Sequence, residues 1–344
     1  MHRLARARAP AKLILSGEHS VVYGKPALAM ATHYYTESIA EATLSSPSLS
    51  QNIAFRLPQL QYAKQLTLAT LKKLTRRVRQ DYRAFLAGEC GIRDVLKKPV
   101  ELIQFTVANL LDLSQAMIQS MHVETHSTIP IGCGMGSSAA LVMSTLRAVA
   151  QLFNLELEAE AYVRLGIDAE NLQHGYSSGL DIQLIWQGGC VYFKEGKATA
   201  RAASALPLYG VNTGKPVSTT GECVMQARKF FLASKIAEDF EAVTDALDVA
   251  FAQNNRVAIQ QGIRENHRLL CQIGVVPESV ERFIAALESV GAAAKISGAG
   301  AVRGGRAGMV LVVPETVESV QPVIERFGFS VERIQGDSYG THLL

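Results

Sequence analysis

The chain has 344 residues, 48% of them hydrophobic and 19% charged, with a formal net charge of +3 at pH 7. This composition excludes a disordered chain, the length favours two domains over one, and the small charge argues against nucleic acid as the main partner. Five well-separated cysteines without a CxxC pair fit neither a zinc site nor a disulfide-stapled secreted fold. No apolar run reaches the ~20 residues of a membrane span, so we expect a cytoplasmic protein with no membrane partner.

The first third of the chain predicts strands followed by helices. Residues 10–40 combine alternating apolar positions with glycines, which predicts the start of a mixed sheet. Helical spacing of apolar residues then extends from Gln59 to about Met121. The basic run from Leu71 to Arg83 is interpreted as the solvated face of a helix, with a nucleotide-facing or partner-facing patch as the alternative. A short alternating strand then leads to Pro130.

The segment Ile129–Leu141, IPIGCGMGSSAAL, is a glycine loop that runs directly into a predicted helix. Glycines allow the backbone N–H groups to turn toward a ligand, and the first N–H groups of a helix favour an anion. We expect one of Ser137 and Ser138 to cap the helix and the other to reach a phosphate or Mg²⁺. A dinucleotide site and a merely tight turn remain alternatives, whereas a Walker loop is excluded because no GxxxxGK[ST] occurs.

The rest of the chain predicts two helices, a loop and a second region of alternating strands and helices. Residues 177–193 are interpreted as a loop followed by strands. Beyond them, short strands alternate with long helices, which are predicted over 221–247, 257–271 and 278–290. This change of pattern predicts an N-terminal domain over residues 1–190 and a C-terminal domain over 191–344.

Four other stretches concentrate polar residues among turns. Lys12 is predicted on a strand, with Glu18 and His19 in the following turn. Glu170 and Asp181 flank the segment NLQHGYSSGL. The other two stretches are a hydroxyl-rich turn, VNTGKPVSTT, and a second glycine loop, KISGAGAVRGG. Taken singly, these residues have structural alternatives: Lys12 as an edge-strand charge, Glu170 as a helix-surface acid and Asp181 as a strand-entry cap.

Together these stretches resemble the GHMP kinase superfamily, named for galactokinase, homoserine kinase, mevalonate kinase and phosphomevalonate kinase. The loop IPIGCGMGSSAAL resembles the superfamily's phosphate loop, and GEHSVVYGKPAL and VNTGKPVSTT are similar to the mevalonate kinase branch. The resemblance implies an α+β fold of two domains. The first would be a ribosomal-protein-S5-like mixed α/β domain and the second a ferredoxin-like α/β domain, with the active site in the cleft between them.

The resemblance also implies roles for individual residues. Asp181 would be the catalytic acid–base or orienting group, with Lys12 beside it to meet negative charge on the attacking oxygen. Ser138 and Glu170 would hold Mg²⁺. The ATP phosphates would be bound by Gly132, Gly134, Met135, Gly136, Ser137 and Ser138. Substrate contacts would come from Glu18, His19, Thr219, Gly298, Ala299 and Gly300.

The implied activity is ATP- and Mg²⁺-dependent phosphorylation of the primary hydroxyl of mevalonate, in isoprenoid precursor synthesis. The second glycine loop departs from the superfamily pattern, because Arg303, Arg306 and a few extra residues have entered it. Those arginines or the basic run 76–83 would suit a phosphorylated acceptor, so phosphomevalonate kinase remains an alternative. A non-catalytic binding protein on this fold and an oxidoreductase are the other readings. A homodimer is among the assemblies that the resemblance allows.

Overall fold

The computed structural model describes residues 2–44, 51–114 and 116–344, and within this part the chain forms two sheets covered by helices. The strands are β1 His2–Ser16, β2 Ala27–Leu44, β3 Asn52–Leu57, β4 Tyr62–Thr67, β5 Ile118–Ser127, β6 Cys190–Lys194, β7 Lys197–Arg201, β8 Leu208–Asn212, β9 Ala293–Ser297, β10 Met309–Val313, β11 Val331–Ile334 and β12 His342–Leu343. The helices are α1 Leu68–Leu86, α2 Glu101–Ser114, α3 Ser137–Leu152, α4 Ala159–His174, α5 Leu180–Gln187, α6 Thr220–Ala233, α7 Ile236–Ala252, α8 Arg256–Gln272, α9 Glu278–Glu288 and α10 Val317–Arg326.

The first sheet has the strand order β12-β1-β2-β5-β3-β4, and the hairpin of β6 and β7 pairs with the other part of β2. Its pairs are antiparallel except for β3 with β5. Along β1 the alternate residues Ala5, Ala7, Ala9 and Ala11 are buried. Because methyl side chains take little space, α3 can lie directly across β1 and β2, which places the N-terminus of α3 beside these strands.

The second sheet is antiparallel, with the order β11-β8-β10-β9, and its core is formed with α8, α9 and α10. The alternation of strands and helices predicted for this half is therefore confirmed. The strands β6, β7 and β12 belong to the first sheet, and the second sheet begins at Leu208. A domain boundary near residue 190 stays a prediction.

Three predicted elements differ from the structure. The segment Gln59–Met121 contains strand β4 and the start of β5 as well as helices, and 221–247 is broken into two helices at Ser234. Residues 180–187, interpreted as strand, form helix α5. Leu180, Ile182 and Leu184 alternate with polar residues, which is the period of two expected of a strand, although in the structure they are buried on a helix.

The basic run lies on α1 and agrees with its interpretation as a solvated face. Leu71, Thr75 and Val78 point into the protein, and most of the lysines and arginines between them are exposed. Of the described helices, none is both long and apolar enough to span a bilayer.

Candidate active site

The backbones of the two glycine loops, residues 132–136 and 298–308, are in direct contact. A Cβ atom on Gly134 would come within 2.7 Å of the Ser297 carbonyl oxygen, and one on Gly298 within 2.9 Å of the Gly134 Cα. Both glycines have positive φ, 82° and 100°. Because backbone touches backbone here, neither position accommodates a side chain. The structure thus joins two segments that are more than 150 residues apart in the sequence.

Strand β1 lies along the inner side of the first loop. The Lys12 N–H donates to the Met135 carbonyl over 3.0 Å, and a Cβ on Gly136 would lie 2.8 Å from Lys12 Cγ. Lys12 Nζ is 3.4 Å from Oδ1 of Asp181, whose position is the first turn of α5. The side chains of Lys12 and Asp181 are 6% and 30% exposed. The predicted pair is therefore assembled beside the loop, with the carboxylate open to a ligand.

The start of α3 differs from its prediction. The N-cap residue is Gly136, in the left-handed region at φ 71°, and among the described side chains none caps the helix. The expectation that Ser137 or Ser138 supplies the cap is wrong, because both serines already lie within the helix. The first N–H groups of α3 are left for an anion instead.

Glu170 lies in the last turn of α4, and its carboxylate has one free oxygen. Oε2 is 3.4 Å from His174 Nε2, whereas the buried Oε1 has no hydrogen-bond partner within the described part of the chain. A buried carboxylate oxygen without a donor is costly, so it suits a cation. Helices α3 and α4 pack side by side after a short connection, which brings Glu170 and Ser138 to the same end of the pair.

His174 reports the charges around this carboxylate. Burial lowers the pKa of its imidazole, but the hydrogen bond to Glu170 and the negative charges of Glu170 and Asp181 outweigh burial and raise the pKa overall. Lys12 acts in the opposite direction. The four groups from β1, α4 and α5 therefore share one electrostatic environment. No cluster of three or more His, Cys, Asp or Glu side chains suited to a metal occurs in residues 2–44, 51–114 and 116–344.

Glu18 and His19 are held by the second glycine loop and the strand before it. Glu18 forms a salt bridge with Lys295 of β9, and both side chains are almost fully buried. Burial lowers the pKa of Lys295, and the charge of Lys12 lowers it further, although Glu18 opposes both effects. His19 Nε2 lies 3.0 Å from the Ala299 carbonyl, and burial lowers the pKa of this histidine to about 4.

Lys295 was not recognised from the sequence as part of the site. The sequence feature that could have identified it is a lysine directly before the glycine loop, in a strand whose other residues are small or apolar. Gly300 is predicted to contact substrate. In the structure its Cα faces the Val275 backbone, because a Cβ there would lie 2.1 Å from the Val275 carbonyl oxygen. The substrate contact stays a prediction.

Thr219 is engaged in local contacts at the start of α6. It is the N-cap of α6, where its Oγ1 accepts from the Glu222 N–H over 3.3 Å in a capping box. Arg93 also donates to this oxygen over 3.3 Å. The hydroxyl is thus engaged in starting a helix, and its predicted contact with substrate stays a prediction.

Comparison with known proteins shows the family of the chain. The profile for the GHMP kinases N terminal domain matches residues 101–189, and that for GHMP kinases C terminal matches residues 248–302. The mevalonate kinase of Thermococcus sibiricus is 32% identical over 94% of this chain and 93% of its own. That of Pyrococcus abyssi is 31% identical over 87% of each chain.

Solved structures share the fold. The mevalonate kinase of Methanococcus jannaschii has a TM-score of 0.75 at 22% identity, covering 98% of this chain and 99% of its own. A Streptococcus pneumoniae phosphomevalonate kinase has a TM-score of 0.70 at 17% identity, covering 95% and 99%. The two family matches and the mevalonate kinase relatives define an ATP-using phosphotransferase with an alcohol acceptor. The chain belongs to the GHMP kinase family.

Proposed function

We propose that the protein transfers the terminal phosphoryl group of ATP to the primary hydroxyl of mevalonate, giving 5-phosphomevalonate and ADP for isoprenoid precursor synthesis. The observation that carries the proposal is the Lys12–Asp181 pair beside the glycine loop. It occurs in a chain that matches a mevalonate kinase at 32% identity over 94% of its length.

The chain's own residues account for the main requirements of phosphoryl transfer. The open N–H groups of the glycine loop and of α3 hold the phosphates, so that the terminal group faces Asp181. Asp181 accepts the hydrogen of the primary hydroxyl and aims its oxygen at the phosphorus. As the new O–P bond forms and the bond to the ADP oxygen breaks, the proton passes to Asp181. Lys12 offsets the charge that spreads over the transferred oxygens.

Mg²⁺ fits the two oxygen donors at the ends of α3 and α4. Ser138 and Oε1 of Glu170, which has no hydrogen-bond partner within the described residues, would hold the ion. Water molecules would fill its other coordination positions, because Mg²⁺ loses its bound water reluctantly. When bound, the ion would neutralise charge on the phosphate oxygens. His174, on the other oxygen of Glu170, keeps the carboxylate oriented.

The acceptor would lie against Glu18 and His19. With a pKa of about 4, His19 is neutral near pH 7, so it contributes a hydrogen bond rather than a positive charge. Its bond to the Ala299 carbonyl links the acceptor side of the cleft to the second glycine loop. The five cysteines are free thiols, which supports a reducing compartment such as the cytoplasm.

An acceptor panel with coupled detection of ADP tests the proposal. Mevalonate, 5-phosphomevalonate, galactose and homoserine are supplied in turn with ATP and Mg²⁺, and the kcat/KM values are compared. We expect mevalonate to be preferred by at least about 10²-fold, because a site built for one set of polar groups leaves them unpaired with another acceptor. Turnover of 5-phosphomevalonate alone would make the protein a phosphomevalonate kinase. Nucleotide binding without turnover of any acceptor would indicate a binding protein.

A further inference from the structure

The two arginines that distinguish the second glycine loop have different surroundings. Arg303 donates to Glu222 Oε1 over 2.8 Å, and the other oxygen of that carboxylate is 3.5 Å from Arg93. Arg303 is therefore neutralised by an acid. Arg306 is exposed and forms no ion pair within the described residues. Within the described residues, no ion pair accounts for the positive charge of Arg306.

The side chain of Arg306 lies across Gly214. A Cβ on Gly214 would come within 2.7 Å of Arg306 Cδ and 3.1 Å of Nε and Nη1. Gly214 also has φ 99°, which side chains rarely adopt. The turn thus provides space for the guanidinium at this position.

Lys215, the next residue, lies across the phosphate-binding loop itself. A Cβ on Gly132 would be 3.1 Å from Lys215 Cε and 3.3 Å from Cδ and Cγ. Lys215 is exposed, and in the part of the chain that the structure describes it has no acidic partner. Burial raises the pKa of the Cys133 thiol in this loop, and the positive charge of Lys215 acts against that rise. The ammonium charge is therefore felt inside the loop.

Backbone hydrogen bonds fix the segments that carry these cations. The Thr213 N–H donates to the Gly308 carbonyl over 2.9 Å, and the Gly308 N–H donates to the Gly214 carbonyl over 3.0 Å. The Met309 N–H donates to the Cys133 carbonyl over 3.1 Å. Three segments distant in sequence are bonded to one another here, so both cations are held at the outer edge of the loop.

We propose that Lys215 and Arg306 form a cation pair that binds the terminal phosphate oxyanions of the nucleotide. The pair complements Lys12, which approaches the same loop from its buried side. A guanidinium offers several donors in a fixed plane to phosphate oxygens, and an ammonium adds a point charge. The inference rests on the proposed function, because it assigns further residues to the same phosphate site.

The test uses Lys215→Met, Arg306→Gln and the double variant. Arg282→Gln is the matched control, since Arg282 is an exposed arginine whose contact with Glu278 lies on the surface of α9. Calorimetry measures the Kd of the non-hydrolysable analogue AMPPNP and of AMP in the presence of Mg²⁺. Thermal unfolding is measured for every variant.

We expect each single substitution to weaken AMPPNP binding about tenfold and the double variant about 10²-fold, as for lost charge-assisted hydrogen bonds. AMP, which lacks the terminal phosphates, should bind all variants equally. Added salt should reduce the difference between wild type and variants, because exposed charges are screened. Arg282→Gln should bind both nucleotides like the wild type.

Three results would overturn the inference. AMPPNP affinity could be unchanged in the double variant, or AMPPNP and AMP could lose affinity equally, which would indicate a general structural effect. A higher KM for the acceptor with unchanged AMPPNP affinity would assign the cations to the acceptor carboxylate instead. In each case the wild type would still phosphorylate mevalonate, whereas failure of the proposed function would appear as absence of that turnover.

Discussion

The glycine loop at 132–136 continues into helix α3, whereas the loop at 298–308 continues into strand β10. After the first loop, no side chain in the described part of the protein caps the helix N–H groups, and the loop lies beside Lys12. The second loop is tied to its neighbours through the Ala299, Gly300 and Gly308 backbone. The element that follows each loop therefore decides what its glycines do.

The glycines of the second loop brace the first loop. In our proposal the first loop binds phosphate through its N–H groups, and the second loop adds the Arg306 cation from its surface. In the first loop, Gly136 leaves space for the Lys12 side chain and starts a helix whose dipole attracts an anion. In the second, Gly308 would place a Cβ 2.6 Å from the Cys133 carbonyl oxygen, so its small size holds the loops together. Substitutions of Asp181, Gly298 and His267 should therefore change different quantities. These are kcat, the KM for ATP and the pH dependence of stability.

Substitution of Asp181 should have the largest effect, because it removes chemistry and leaves both loops intact. Asp181→Asn retains the size of the side chain but cannot take the hydroxyl proton. We expect kcat to fall on the order of 10²-fold or more while AMPPNP binding is retained. The unfolding temperature should fall, because the nearly buried Lys12 loses its counter-charge. Steady-state kinetics and calorimetry measure these quantities. A kcat within about threefold of the wild type would exclude Asp181 as the proton acceptor.

Gly298→Ala should break the bracing of one loop by the other. The new methyl group would lie 2.9 Å from Gly134 Cα, at φ 100°. We expect the KM for ATP to rise about tenfold and the free energy of unfolding to fall by about 2–4 kcal/mol.

Gly328→Ala is the control for Gly298→Ala. It also has positive φ, 75°, but nothing lies within 4 Å of the added Cβ. It should cost about 1 kcal/mol and leave the KM for ATP unchanged. Equal KM values for the two variants would contradict the bracing role of the second loop.

A smaller effect is expected from His267, a buried histidine that is affected by the charge of Lys295. Burial lowers the pKa of His267 to about 4, assisted by the positive charges of Lys295 and Arg268. Between about pH 4 and pH 6.5, this histidine binds a proton in the unfolded chain, where its pKa is near 6.5, but not in the folded chain. The stability from this group is full above about pH 6.5 and is lost as the pH falls toward 4.

Urea unfolding at several pH values checks this expectation. Between pH 7 and pH 5, His267 should account for a loss of about 1–2 kcal/mol, and His267→Gln should reduce the pH dependence by that amount. Equal slopes for the wild type and His267→Gln would refute the assignment.

Local sequence predicted much of the second half of the chain and the individual polar stretches. Helix α8 was expected over residues 257–271 and spans Arg256–Gln272, because a polar and an apolar face alternate along it. Helix α5 was missed, since Leu180, Ile182 and Leu184 alternate with polar residues as they would in a strand. The serine cap was also wrong, because Gly136 adopts the left-handed conformation that starts α3.

The sequence by itself determined the class of the protein, since the glycine loop, its following helix and the Lys12, Glu170 and Asp181 segments are each local patterns. Tertiary structure decided which of these groups meet. The Glu18–Lys295 pair, the contact of Gly134 with Gly298, and the positions of Lys215 and Arg306 join residues that are far apart in the chain. Such contacts depend on how two sheets and their helices pack, and a local pattern of residues carries no information about that packing.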